Sequence, residues 1–316
     1  MKKLLIILGP TSTGKTDLAL SLARKLNGEL IACDSRQVYK GLDLGAGKYP
    51  GVFSKTIKKK SFWEVDGIKI HLYDVIDPSS QFNVSDYVKL AKKTIYKIAK
   101  TNKLPIITAG TGLYLKALLK GLDSLEVPAD QKLRAKLDLL EVDELQKKLI
   151  ILNRKKYLNM NNSDRQNKRR LIRAIEISSL NLNKVITKKQ NGLGKKFSIL
   201  KIGLSTKKEL INQRIDRRVM QRINQGLILE ANNLYEKGLS LIRMRELGLE
   251  YACLADFLEG KLTKKELVEK LKIKIHQFAK RQVTWFKKEA EVNWFDISKK
   301  NYRIELEKTI LKWYHT

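Results

Sequence analysis

The chain is 316 residues long, 43% hydrophobic and 31% charged, which suits one large α/β domain or two smaller ones and excludes a disordered or fibrous protein. Lys and Arg number 64 against 33 Asp and Glu, a formal net charge of +31. That field favours a polyanionic partner, nucleic acid before an anionic membrane, unless the excess is a compositional bias.

Leu4 to Leu8 is an unbroken apolar run that stops at Gly9-Pro10. It is too short for the apolar segment of an export signal, and no stretch approaches the ~20 apolar residues of a membrane span, so a cytoplasmic chain is expected. The run has the pattern of a parallel strand covered on both faces. Leu18, Leu22 and Leu26 then share one helix face, which Asn27-Gly28 closes, and Leu30 to Cys33 forms a second strand ending at Asp34. Strand, helix and strand in close succession make a βαβ unit and predict a doubly wound parallel sheet. Residues 49–67, with Lys58-Lys59-Lys60, predict a basic surface excursion, and Ile68, Ile70 and Leu72 alternate as a strand. Residues 86–100 are helical, and Leu104 to Thr108 is another buried strand that runs into Ala109-Gly110-Thr111-Gly112. Two strands thus end in glycine-rich turns, which with Asp34 could line one crevice outside the carboxyl ends of the sheet.

The texture changes near Gly121. Residues 131–196 hold 18 Lys/Arg against 6 Asp/Glu, and residues 154–173 carry eight cations against Asp164 alone. Leu133, Leu137 and Leu140, then Leu171 and Ile175, keep helix spacing. The expected division is therefore a phosphate-loop α/β core beginning over 1–121, an inserted all-helical basic subdomain over 122–195, and the rest of the core, mostly helical, over 196–316. Within that last part Phe197 to Leu204 alternates as a strand, helices are expected near 206–224, 227–237 and 264–288, and Val292 to Ile297 forms a short strand.

Gly9-Pro10-Thr11-Ser12-Thr13-Gly14-Lys15-Thr16 fits G-x-x-x-x-G-K-[ST]. Glycines at both ends let successive N–H groups curl around an anion, and the following helix adds its positive end. Lys15 supplies a mobile charge and Thr16 a hydroxyl for Mg²⁺. The strand over 104–108 ends in Ala-Gly-Thr rather than a metal-holding Asp, which speaks against an energy-coupling ATPase and for a transferase handling a diphosphate. Asp34 at the neighbouring strand end is either a turn former or a general base, since its reference pKa near 4 keeps it ionised at pH 7. Cys33 fits a core residue. Two cysteines and three scattered histidines offer no disulfide framework and no zinc-ligand spacing. Residues 154–173 are a solvated helix face or a nucleic-acid surface, and Lys280-Arg281 beside Trp285-Phe286 could hold phosphate and stack a base or simply be core.

In order, the phosphate loop, Asp34-Ser35-Arg36-Gln37-Val38-Tyr39-Lys40-Gly41-Leu42-Asp43, His71-Leu72 with Asp74 and Asp77-Pro78, Gly110-Thr111-Gly112-Leu113-Tyr114, Arg170-Leu171-Ile172-Arg173-Ala174-Ile175-Glu176 and Lys280-Arg281-Gln282-Val283-Thr284-Trp285-Phe286 resemble the tRNA dimethylallyltransferase (isopentenyltransferase) family over nearly the whole chain. The resemblance implies transfer of a dimethylallyl group from dimethylallyl diphosphate to the exocyclic amine of the tRNA adenine at position 37, beside the anticodon. It implies Gly9 to Thr16 as the diphosphate cradle, Mg²⁺ at Thr16, and Asp34, Lys15, Thr16, Thr111 and Arg218 as catalytic residues. It further implies Asp34, Ser35, Arg36, Gln37 and Thr111 around the flipped adenine. Arg134, Arg169, Arg170, Arg173, Lys280, Arg281 and Gln282 would be the remaining tRNA contacts. The chain departs from the family pattern at Ile70, Asn167, Arg169, Leu249-Glu250-Tyr251 and Ile275-His276. A monomer is expected. The competing readings are an adenylate isopentenyltransferase or nucleotide kinase on the same scaffold, and a non-catalytic RNA-binding protein.

Overall fold

The computed structural model describes residues 1–48, 55–122, 127–179, 192–193 and 196–316. They form two compact units, one of Met1–Leu119 with Leu193–Thr316 and one of Lys120–Gly192.

The first unit is built on one eight-stranded sheet. Its strands are β1 (Lys2–Leu8), β2 (Gly28–Cys33), β3 (Thr56–Lys59), β4 (Phe62–Val65), β5 (Ile68–His71), β6 (Leu104–Ala109), β7 (Phe197–Ser205) and β8 (Val292–Asp296). The order is β3-β4-β5-β2-β6-β1-β7-β8, parallel from β5 to β8 and antiparallel at the β3-β4-β5 edge. Leu4 to Leu8 have no exposure at all, the burial a both-faces-covered strand requires.

Two sequence expectations change here. β1 and β2 are not neighbours, because β6 pairs with both, Leu8 and Cys33 each lying opposite Ala109. The basic excursion expected over 49–67 contains a hairpin, β3 and β4, that extends the sheet antiparallel; residues 49–54 of it lie outside the described residues. Its lysines hide the signal, since Trp63 and Val65 are fully buried while the Lys58 ammonium stands 4.5 Å over the Trp63 ring, a cation–π seat for a solvated charge.

Helices α1 (Lys15–Lys25), α2 (Val84–Lys100) and α3 (Gly112–Lys120) follow β1, β5 and β6. The second unit carries α4 (Gln131–Leu137), α5 (Val142–Leu158), α6 (Asn162–Arg165) and α7 (Lys168–Ser179). Its described residues are helix and loop around Leu137, Leu145, Leu149, Leu171, Ile172 and Ile175. Within α5, Asn153 breaks from helical geometry and its side chain caps the next turn by accepting from the Lys156 N–H at 2.9 Å. Residues 123–126, 180–191 and 194–195 of the expected insertion lie outside the described residues.

The first unit continues with α8 (Lys208–Asn224), α9 (Leu227–Glu236), α10 (Leu241–Leu247), α11 (Leu249–Leu258), α12 (Lys264–Phe286) and α13 (Tyr302–His315). α10, α11 and α13 have no counterpart in the sequence reading. α10 and α11 are short and meet at Gly248, whose φ of 74° turns the chain where a periodicity would otherwise register. A second apolar core joins α8, α9, α11 and α12 to Val38, Tyr39 and Leu42, which follow β2. Among the described residues no helix is long and apolar enough to cross a membrane.

Candidate active site

Three strands end side by side. The order β2-β6-β1 brings Asp34, Gly110 and Gly9, each following its strand, to one edge of the sheet. Gly9 has a φ of 145°, and a Cβ there would overlap the Leu204 carbonyl oxygen, so only glycine lets β1 turn beside β7. Gly14, with a φ of 82°, is the N-cap of α1. Inside the loop the Thr13 hydroxyl donates to the Pro10 carbonyl at 2.8 Å and the Lys15 ammonium donates to the same oxygen at 2.7 Å. The Ser12 hydroxyl is buried without a hydrogen-bond partner, an open valence in the cradle.

Thr11, Ser12, Gly14, Lys15 and Thr16 open into a cavity of about 920 Å³ that Asp34, Arg36, Gln37, Gly110, Arg218 and Gln282 also line. Gln282 joins two of the three turns. Its side-chain oxygen accepts from the Thr11 N–H at 2.8 Å and its amide donates to the Gly110 carbonyl at 2.7 Å. Asp34 accepts from the Arg36 N–H at 2.9 Å, and a Cβ on Gly110 would lie 2.5 Å from its other carboxylate oxygen, so the bare backbone of Gly110 makes room for that carboxylate. Thr111 does not line the cavity; its hydroxyl accepts from the Ser35 N–H at 3.2 Å and holds the turn. Gln37 donates to the carbonyls of Ala46 and Gly47, both at 3.3 Å.

The opposite wall is cationic. Arg214, Arg218 and Arg222 recur every fourth residue on α8 and all line the cavity. Arg218 donates to the Thr11 hydroxyl at 3.5 Å and to the Gly47 carbonyl at 3.4 Å. The Arg222 charge beside it, with burial, lowers Arg218 to about 9. Burial and the Arg218 charge push Lys15 down to about 7, against an upward pull from Asp34. Cys33, fully buried, is pushed up to about 12 chiefly by burial and is no nucleophile.

This geometry fits a cradle for a polyanion facing a carboxylate. A family model described as IPP transferase matches residues 37–289, and one described as isopentenyl transferase matches residues 2–58. The chain belongs to the IPP transferase family. It is 37% identical to the tRNA dimethylallyltransferase of Anoxybacillus flavithermus, over 94% of this chain and 91% of that one. It is 38% identical to tRNA dimethylallyltransferase 1 of Azobacteroides pseudotrichonymphae, over 96% of both. The solved tRNA isopentenylpyrophosphate transferase of Bacillus halodurans superposes with a TM-score of 0.70 at 33% identity, covering 100% of this chain and 97% of that one. A eukaryotic dimethylallyltransferase acting on tRNA gives a TM-score of 0.77 at 25% identity, over 98% and 78%.

For a member of the IPP transferase family, the other residues singled out in the sequence divide into two groups. Lys280 and Arg281 are exposed on α12, Arg281 lying 6.0 Å from the Phe278 ring. Of the aromatic pair beyond them, Phe286 is core, whereas Trp285 is 41% exposed. In the second unit Arg169 is exposed and Arg170 pairs with Asp164. Arg134 and Arg173 both donate to Glu176, which is fully buried. Burial alone would raise the Glu176 carboxyl, but the Arg134 and Arg173 hydrogen bonds outweigh it and hold the group low.

Arg222 and Glu250 are cavity residues that the sequence reading did not identify as functional. The four-residue spacing of Arg214, Arg218 and Arg222 was a legible signal. Glu250 carried only a departure from the family pattern, and its place in the cavity is set by the turn at Gly248.

The lowered Lys15 gives a pH test. Free Lys15 is protonated below about pH 7 and mostly neutral above it. A bound diphosphate favours the charged ammonium. At about pH 8.5, binding of dimethylallyl diphosphate should therefore take up nearly one proton, and at about pH 6 almost none. Calorimetry in buffers of different ionisation enthalpy reads this directly. An uptake that stays at zero across that range would mean that Lys15 is already charged.

Proposed function

We propose that the chain transfers the dimethylallyl group of dimethylallyl diphosphate to the N6 amine of the tRNA adenine at position 37. The observation that carries this is the opening of the phosphate loop, the Asp34 carboxylate and the Arg218 wall into one cavity. Breaking the allylic C–O bond leaves negative charge on the diphosphate, which the loop N–H groups, Lys15 and Arg218 stabilise more in the transition state than before it. The adenine amine is a weak nucleophile whose proton becomes acidic as the C–N bond forms. Asp34 then accepts that proton.

The donor set suits Mg²⁺, a hard ion that keeps waters and binds through one or two protein oxygens plus phosphates. The Thr16 hydroxyl lines the cavity, and no three His, Cys, Asp or Glu converge among the described residues, so Thr16 would hold the ion together with the diphosphate itself. Bound there, Mg²⁺ neutralises charge on the leaving group.

For the RNA, we assign Ser35, Arg36, Gln37 and Thr111 to the neighbourhood of a base that must leave its stack. Lys280, Arg281 and the basic face carrying Arg169 and Arg170 would bind phosphates. We assign a monomer to this activity, and the RNA substrate fits a cytoplasmic setting.

Incubating the protein with tRNA, Mg²⁺ and labelled dimethylallyl diphosphate should place label on one adenine N6. Label appearing in free AMP at a matching rate would instead favour a small-molecule transferase. Tight RNA binding without any product would favour a non-catalytic RNA-binding protein.

A further inference from the structure

Arg36, Arg218 and Arg222 line the cavity with charges that oppose one another, and the buried carboxylate of Glu250 lies among them. Glu250, 5% exposed, receives Arg36 at 2.7 Å on one oxygen and Arg222 at 3.3 Å on the other. Arg36 also lies over Phe278, its guanidinium carbon 5.1 Å from the ring centroid. Arg222 has little freedom to retreat, because the backbone of Gly47 is close enough that a Cβ there would overlap its guanidinium.

Removing one partner of such a buried cluster leaves uncompensated charge that seeks another counter-ion. Asp43 is already held by Lys48 and Lys58. Asp34 is two residues from Arg36 in the same turn, and the hydrogen bond it accepts there comes from a backbone N–H. An arginine paired with Asp34 would occupy the oxygen that must receive a proton and would weaken it as a base.

We propose that Glu250 is a positioning residue for prenyl transfer: its carboxylate, anchored on its other oxygen by Arg222, keeps the Arg36 guanidinium off Asp34. Glu250 touches no reacting atom; it works through Arg36. The inference rests on Asp34 acting as the base in the proposed reaction.

The test uses the full chain and two readouts. Glu250→Gln retains shape and removes one negative charge from the wall. The variant should turn over tRNA and dimethylallyl diphosphate about tenfold more slowly, with no rise in KM for the diphosphate. By calorimetry it should bind inorganic diphosphate about fivefold more tightly, one unit of repulsion having gone. The charge-balanced double variant Arg222→Met/Glu250→Gln should return diphosphate affinity to within about threefold of the parent and leave turnover slow, because Arg36 still lacks its carboxylate partner. A merely structural role predicts slower turnover with weaker diphosphate binding in both variants, and that result, or unchanged turnover in Glu250→Gln, overturns the proposal. If Glu250→Gln does not fold, the double variant decides alone: slow turnover with diphosphate binding intact supports the proposal, and near-parental turnover overturns it. Failure of the parent chain to transfer label would instead refute the proposed reaction, leaving the diphosphate affinities to report on the charge balance.

Discussion

Asp34→Asn should reduce prenyl transfer by about 10²- to 10⁴-fold, the usual contribution of a positioned general base, while leaving the protein folded and able to bind both substrates. The substitution isolates basicity from shape. The asparagine amide keeps a side-chain oxygen for the Arg36 N–H that Asp34 accepts at 2.9 Å, and it fits the same space beside Gly110. What it loses is the affinity for a proton at the moment the adenine amine becomes cationic. Diphosphate affinity should rise slightly rather than fall, because Asp34 contributes a negative charge near Lys15. Single-turnover rates with labelled dimethylallyl diphosphate, together with tRNA binding by filter retention, separate the two effects. Turnover equal to that of the parent would remove Asp34 from the base role and return it to the turn-forming one.

Lys15→Met should lower kcat/KM by about 10²- to 10³-fold, close to 3–4 kcal/mol of transition-state stabilisation. Methionine keeps most of the aliphatic length, so the loop retains its packing and loses the ammonium that reaches Pro10 at 2.7 Å. The loss should fall mainly on kcat, since the loop N–H groups and Arg218 still bind the ground-state diphosphate whereas charge on the departing oxygen grows only in the transition state. Kinetics at saturating tRNA, with diphosphate affinity measured separately, test this division. Unchanged transfer in Lys15→Met would show that the loop does not hold the reacting diphosphate.

Much of the phosphate loop was legible from residues 1–34 because its signals are local. A continuous apolar strand, glycines at both ends of the loop and a leucine face on the next helix each lie within a few residues of one another, and local backbone preference is enough to read them. The basic texture of 131–196 was legible for the same reason, but the fate of its individual charges was not. Arg134 and Arg173 close on Glu176 because a buried carboxylate needs partners, a demand that appears only once α4 and α7 pack.

What the sequence determined by itself was a phosphate-binding turn after a buried strand, a basic helical stretch and a carboxylate at a strand end. Only the tertiary structure decided that β6 lies between β1 and β2, bringing Asp34, Gly110 and the loop to one edge. It also decided that Gln282, 271 residues along the chain from Thr11, would tie two of those turns together. The arginine wall and its Glu250 counter-ion belong to the same class. Pairings across long stretches of chain arise from how helices and strands share a core, and the spacing of residues along one element carries no record of them.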